Sequence, residues 1–211
     1  EKEPTVLYSL EKLMETGLVE RRRCMTDEKN KKKSQYVLRD SMFKFWYAFI
    51  PKACSVIEMG RGDLYYDTVV KPSLHAFMGS VFEEMCRYYT LEQGIQGKFG
   101  NFVTEVGMYW GQEQMEDKGG RKYQQSADID VVGLSDSDRT AVIGECKFKN
   151  EKVDCGIYET LRRRAGLLPS RYRIQKYLLF SLAGFTKGLE AMAGPDTELI
   201  TLDMMLDTVE K

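Results

Sequence analysis

The chain has 211 residues, 43% hydrophobic and 30% charged, a balance that supports a buried core and excludes a low-complexity or fibrous protein. Its 31 lysines and arginines nearly cancel 32 acids, so the net charge of -1 neither requires nor excludes a polyanionic partner. No apolar run is long enough to span a bilayer and no signal peptide opens the chain, so the expectations are a cytoplasmic location and no membrane partner.

In chain order, residues 6–17 carry apolar side chains at helical spacing and close on Gly17, which predicts a helix. Residues 18–26 read as a strand, residues 27–33 as a charged turn and residues 35–38 as a second strand. A helix followed by a basic two-stranded ribbon is the pattern of the end of a winged helix. The aromatic block of residues 42–50 is expected to be helical, with Trp46 in inter-domain core rather than in a base-stacking platform. The character of the chain changes at about Pro51, which predicts two domains: residues 1–50, a partial winged helix with its linking aromatic helix, and residues 51–211. Because the chain opens on Glu1 and not on methionine, the expectation is a fragment of something longer.

Pro72 suits the first turn of a helix that runs to about residue 92. Leu74, Phe77, Met78, Val81, Met85 and Tyr89 make one apolar stripe along it. His75, Gly79, Phe82 and Cys86 make a second side, so the helix is expected to be buried on two sides, with His75, the only histidine, in a structural role. Strands are predicted at residues 102–110, 128–134 and 140–148, the last two joined as a hairpin by the polar turn 135–138. The segment 119–122 reads as a loop. A basic helix at 158–166, a strand at 177–181, a helix from Thr186 and a strand at 198–202 complete an α+β pattern. The five cysteines are scattered with no CxxC pair, which argues against a disulfide framework and a zinc site; they read as small core residues, with Cys146 buried.

The chemistry is carried by Asp128-Ile129-Asp130-Val131-Val132 and Ile143-Gly144-Glu145-Cys146-Lys147. Side chains alternate along a strand, so Asp128 and Asp130 share a face, as do Glu145 and Lys147. The hairpin brings Asp130 nearly opposite Glu145, at the ~4.5–5.5 Å spacing of cross-strand neighbours. Carboxylates that close repel unless a cation neutralises them, and oxygen-only ligation suits magnesium or manganese. Lys147 is placed to orient or polarise an attacking water while the metal stabilises charge on a phosphate. The surface-hairpin alternative is opposed by the flanking Ile129, Val131, Val132, Val142 and Ile143, which mark central strands where unpaired charge is costly.

At these residues the chain resembles the PD-(D/E)XK nuclease superfamily, whose signature is an Asp followed on the next strand by Glu-x-Lys, here Asp130 with Glu145-Cys146-Lys147. The resemblance implies a restriction-endonuclease-like mixed sheet flanked by helices over residues 51–211. It also implies a further acid on the preceding helix, for which Glu83 is the candidate and Glu84 the fallback. Glu83 lies opposite the main apolar stripe, so it reaches the site only if the second side faces the sheet. Catalytic roles then fall to Asp130, Glu145, Lys147 and Glu83, and metal ligation to Asp130, Glu145, Glu83 and Asp128; Asp128 either binds a second metal or rings the site.

Over residues 6–202 the segments GLVERR, FKFWYAFI, GSVFEEMC, VGMYWG, DIDVV, GECKFKN and YLLFSLAGFT stand in one order. In this the chain is similar to the C-terminal region of archaeal-type P-loop ATPases, which join an AAA-type ATPase to a winged helix and a nuclease-like domain. That resemblance implies an upstream ATPase domain as partner. No GxxxxGK[ST] loop is present, so ATP would enter only through that domain. Arg21, Arg22, Arg23, Lys31, Lys32 and Lys33 flank the wing and are candidates for phosphate contacts with DNA, as are Arg162 and Arg163 beyond the Lys147 strand. The expectation is a DNA-binding, Mg- or Mn-dependent phosphodiester hydrolase module. The alternatives are a non-catalytic DNA-binding or regulatory domain of such an ATPase, and protein docking through the aromatic block.

Overall fold

The computed structural model describes residues 3–27, 33–117 and 119–208. They divide into two compact units: Glu1–Arg23 with Asp27–Val81, and Cys24–Thr26 with Phe82–Lys211.

In the first unit, helix α1 (Glu3–Glu15) stops where Gly17 turns to φ +73. Gly17 N–H donates to Met14 O and Leu18 N–H to Leu13 O, the paired closure that a glycine at this position permits. Strands β1 (Val19–Arg23) and β2 (Ser34–Leu38) pair antiparallel, Val19 opposite Leu38 and Arg23 opposite Ser34. Helix α2 (Ser41–Phe49) starts at Asp40, whose carboxylate accepts from the Met42 and Phe43 amides. Short helices α3 (Cys54–Glu58) and α4 (Gly62–Tyr65) and a π-helical turn (Tyr66–Val70) lead into the long helix α5 (Lys71–Ile95).

The aromatic block is core on one side only. Phe45, Phe49 and Phe77 stack with ring centroids 5.0 to 5.8 Å apart. Met42, Phe43, Trp46 and Tyr47 instead are exposed and line an open groove with Asp40. Two readings of single residues are corrected here. His75 is exposed, because the two-sided burial of α5 begins only toward Phe82; Cys54, on the short α3, is exposed as well.

The second unit is built on a five-stranded mixed sheet in the order β3-β4-β5-β6-β7: β3 (Glu105–Glu116), β4 (Lys122–Ser135), β5 (Thr140–Lys147), β6 (Arg173–Ser181) and β7 (Thr197–Thr201). The first three strands are antiparallel, and β5, β6 and β7 are parallel. Helices cover both faces, making this an α+β fold. Against one face, Tyr158 and Leu161 of α6 (Cys155–Arg164) and Leu189 of α7 (Lys187–Met192) pack on Ile129, Val132, Ile143 and Leu179. Against the other, Phe82 and Cys86 of α5 and Met205 of α8 (Leu202–Leu206) pack on Val131, Val142, Leu178 and Phe180. Coverage on both faces explains why β5 is buried from Thr140 to Cys146 and reads as a nearly continuous apolar run.

The sequence boundaries differ from the structure in two places. The compact units part between Val81 and Phe82, inside α5, whereas composition changes at about Pro51. The reason is that one continuous helix carries Phe77 into the first core and Phe82 into the second. In addition, β3 and β4 run on past Trp110 and back before Asp128 as a paired ribbon, beyond the strand bounds expected, while 119–121 form the loop at its tip. Among the described residues, no helix is long and apolar enough to cross a membrane.

Candidate functional site

The site lies where β4 and β5 part. Their pairing runs from Ser135 opposite Thr140 to Val131 opposite Gly144, and stops one residue short of Asp130 and Glu145. On its other side, β4 carries a bulge at this point: Gly107 pairs with Val132 and Tyr109 with Ile129, so Asp130 and Val131 together face Met108. A bulge re-aims the side chain at its extra residue. Asp130 is not a flat cross-strand partner of Glu145, as alternation alone predicts. Its Oδ2 instead accepts the Cys146 amide at 2.8 Å, capping the edge of β5.

Asp130 and Glu145 are each only 8% exposed. Glu145 Oε1 accepts from Lys147 Nζ at 2.6 Å. Its second oxygen, Oε2, is buried with no hydrogen bond; the Arg164 guanidinium stands 3.8 Å away. Burial, then the neighbouring Glu145 charge and also Glu83, push the Asp130 carboxyl up to about 7, against the opposing pull of the Cys146 amide and Lys147. Burial would lower Lys147, but Glu145 and Asp130 outweigh it and hold the ammonium above its usual value. Lys147 is therefore a charged donor rather than a base.

Of the two helix acids, the structure brings Glu83 to this place. The sheet-facing side of α5 is the one with Phe82 and Cys86. Burial raises the Glu83 carboxyl, Asp128 adds to the rise, and Arg87 and Lys147 oppose it, so these charges share one neighbourhood. Glu84 points elsewhere, into a groove with Met85, Tyr88, Tyr89, Glu92, Met205 and Leu206.

Two cations hold this cluster; sequence reading did not single out Arg87, and it read Arg164 only as part of a basic cluster near the site. Arg87, 12% exposed, donates to the Asp130 carbonyl at 2.8 Å and stands 3.7 Å from Glu83. Arg164, 13% exposed, donates to the Asp128 carbonyl at 2.7 Å and reaches the Asp128 carboxylate at 3.4 Å. These carbonyls lie on the stretch of β4 beyond the reach of β5, so two arginines supply donors that no strand provides there. The spacing of Glu83 and Arg87, one helical turn, was a signal for that pair. Nothing in sequence marks the Arg164 contacts, which join residues 36 positions apart.

A buried oxygen without a donor, beside carboxyl groups made costly to ionise, suits a hard divalent cation. In this arrangement, however, the acids lean on internal cations, and among the described residues no group of three His, Cys, Asp or Glu side chains is gathered as a ready cage.

Residues 46–157, just over half the chain, match the DUF234 family, described as archaea bacterial proteins of unknown function. The chain belongs to this family. The matched span of the DUF234 chain holds Glu83, Asp128, Asp130, Glu145 and Lys147, but neither β1–β2 nor the arginines of α6. An uncharacterized protein of Methanocaldococcus jannaschii is 25% identical over 161 residues, 75% of the DUF234 chain and 33% of that protein. The chain thus spans about a third of this relative's length. No solved structure matches.

The basic residues of the DUF234 chain are placed as follows. Arg21 donates to Ser34 and lies over the Tyr36 ring, Arg22 pairs with Glu20, Arg23 ends β1, and Lys33 pairs with Asp27 at 3.0 Å. Lys31 and Lys32 lie outside the described residues. Arg162 sits over the rings of Tyr158 and Tyr177. Arg163 grips the buried Glu113 with two bonds, of 3.0 and 3.2 Å. Both arginines of α6 make these contacts and remain exposed.

Proposed function

We propose that the second unit is a PD-(D/E)XK-type domain acting as a DNA-directed, Mg- or Mn-dependent phosphodiester hydrolase, the C-terminal part of a larger archaeal-type ATPase. The observation that carries the reading is the placement of Asp130 of β4, bonded to the Cys146 amide, beside Glu145 and Lys147 of β5 at one strand divergence, with a buried, unbonded Glu145 oxygen and with the Glu83 charge of α5 acting on Asp130. Asp130, Glu145 and Glu83 would hold the cation, with Asp128 at the rim. When bound, the cation supplies charge neutralisation at the phosphate and acidifies water.

The rest is done by the chain's own residues. The Cys146 amide fixes the Asp130 carboxylate, leaving its other oxygen for ligation. Lys147, kept protonated by its neighbours, orients water by donating to it and offsets charge building on the phosphate. Arg87 and Arg164 hold the acid-bearing stretch of β4 in place through its carbonyls. The relative, of which the matched span covers only 33%, has room for further domains, and the reading places the ATPase among them.

The test is to titrate manganese into the wild-type chain and Glu145→Ala by calorimetry, then incubate each with single-stranded, duplex and branched DNA. Metal binding and cleavage by the wild type alone are expected. Equal metal affinity in the two proteins would remove the central assignment.

A second reading, a non-catalytic DNA-binding or regulatory module, is favoured by one observation: Lys147, Arg87 and Arg164 already pair with Glu145, Glu83 and Asp128. It predicts DNA binding without cleavage under any metal.

A further inference from the structure

Arg164 reaches the acid cluster from the last turn of α6. One of its atoms, Nη1, stands 3.4 Å from the Asp128 carboxylate and 3.8 Å from Glu145 Oε2. It therefore lies between an exposed acid of β4 and a buried acid of β5. Its close bond runs from the same Nη1 to the Asp128 carbonyl, at 2.7 Å. Nε, by contrast, is buried without a hydrogen bond, 3.7 Å from Glu113 Oε1. Glu113 does not require it, since Arg163 donates to both oxygens of that carboxylate, at 3.0 and 3.2 Å.

A guanidinium fitted to a carboxylate makes charge-assisted bonds of ~2.7–2.9 Å, often two in parallel. Arg164 instead meets three carboxylates at 3.4, 3.7 and 3.8 Å. Those distances give Coulombic attraction without a short bond, so the group is a counter-ion to the acids and not a clamp shaped to one of them.

We propose that Arg164 is a built-in competitor of the divalent cation: it bridges Asp128 and Glu145 in the cation-free chain, yields that place when a cation loads, and so sets the metal affinity of the site. The inference rests on the reading of the acid cluster as a divalent-cation site and adds the residue that regulates its loading.

The reason is charge at short range. A divalent cation sits ~2.0–2.6 Å from a carboxylate oxygen that ligates it. Arg164 Nη1 is 3.8 Å from Glu145 Oε2, the buried oxygen left for ligation. Like charges that close repel strongly where little water screens them. The other two cations of the cluster are not equivalent competitors. Lys147 holds Oε1 of Glu145, and Arg87 meets Glu83 and the Asp130 carbonyl. Among the described residues, Arg164 is the cation paired with Oε2.

The experiment measures manganese affinity by calorimetry for the wild-type chain, Arg164→Gln and Arg163→Gln, which removes an equal charge one residue away. Arg164→Gln should bind at least about tenfold more tightly than the wild type, and Arg163→Gln within about twofold of it. A second measurement needs no variant. Phenylglyoxal labelling of folded wild type, mapped by mass spectrometry, should modify Arg164 slowly in EDTA and faster in saturating manganese, with exposed Arg162 reacting alike in both. This labelling decides alone if Arg164→Gln fails to fold. Equal affinity in Arg164→Gln and wild type, an equal gain in Arg163→Gln, or Arg164 labelling unmoved by manganese overturns the inference. Where the wild type still binds manganese and cleaves DNA, such a result leaves the hydrolase reading intact. Tighter binding by Arg164→Gln with no cleavage by any of the proteins removes the hydrolase and leaves the competitor standing. No manganese binding by any of them removes both.

Discussion

Asp130 is the residue on which the site turns, and its environment gives it a measurable pH signature. Burial and the Glu145 charge raise its carboxyl from 3.8 to about 7, so the folded protein keeps a proton that the unfolded chain has released. A group raised in this way contributes stability that is full below pH 3.8 and is lost as the pH climbs to about 7. In metal-free buffer, Asp130→Asn should therefore be more stable than the wild type at pH 8, by up to about 4 kcal/mol. The gap should close toward pH 4. Urea unfolding of both proteins at the two pH values checks this, and a constant gap would place the cost elsewhere. The asparagine oxygen can still accept the Cys146 amide, so the comparison isolates the charge.

Among the elements, α5 decides which helix acid faces the sheet, and its seating depends on a close approach near its end. A Cβ on Gly94 would lie 2.5 Å from Val103 Cβ, an atom of a fully buried, β-branched side chain that cannot swing aside. Gly94→Ala should therefore cost about 1–3 kcal/mol by overpacking. Thermal or urea unfolding reads the loss, and a neutral result would mean that the helix end yields without strain. Gly107 is a weaker case, since its Cβ would meet the flexible thioether of Met25. The β4 bulge is the other deciding element. It aims Asp130 at the β5 edge, and no residue in the segment announces it.

At the scale of the whole molecule, the second unit holds its acids in a state that a cation should relieve. Ligand binding to the native state alone raises stability by RT ln(1 + [L]/Kd), about 2.7 kcal/mol at a hundredfold excess over Kd. Manganese should accordingly raise the melting temperature of the wild type and leave Glu145→Ala unmoved; calorimetric scans with and without EDTA measure this. A rise of the same size in both proteins would locate the binding away from Glu145. The match to DUF234 covers this acid cluster and omits β1–β2. Hydrolysis by the second unit and DNA contacts by the first are thus separate questions.

How far the sequence reached follows from the range of the forces involved. Period and punctuation are local, and they placed α1 with its Gly17 stop, α2, the β4–β5 hairpin and most of α5. Alternation along β5 put Glu145 and Lys147 on one face, and they do meet, at 2.6 Å. Three things depend on contacts between residues far apart in the chain, and only the tertiary structure decided them. Packing chose the Phe82–Cys86 side of α5, and with it Glu83 over Glu84. Pairing with β3 created the bulge at Asp130 and the ribbon beyond Trp110. Folding carried Arg164, 13% exposed, to Asp128 beside the site, and Arg163, itself still exposed, to the buried Glu113. Charge compensation of that kind is set by distance through space, which the order of residues along a chain does not record.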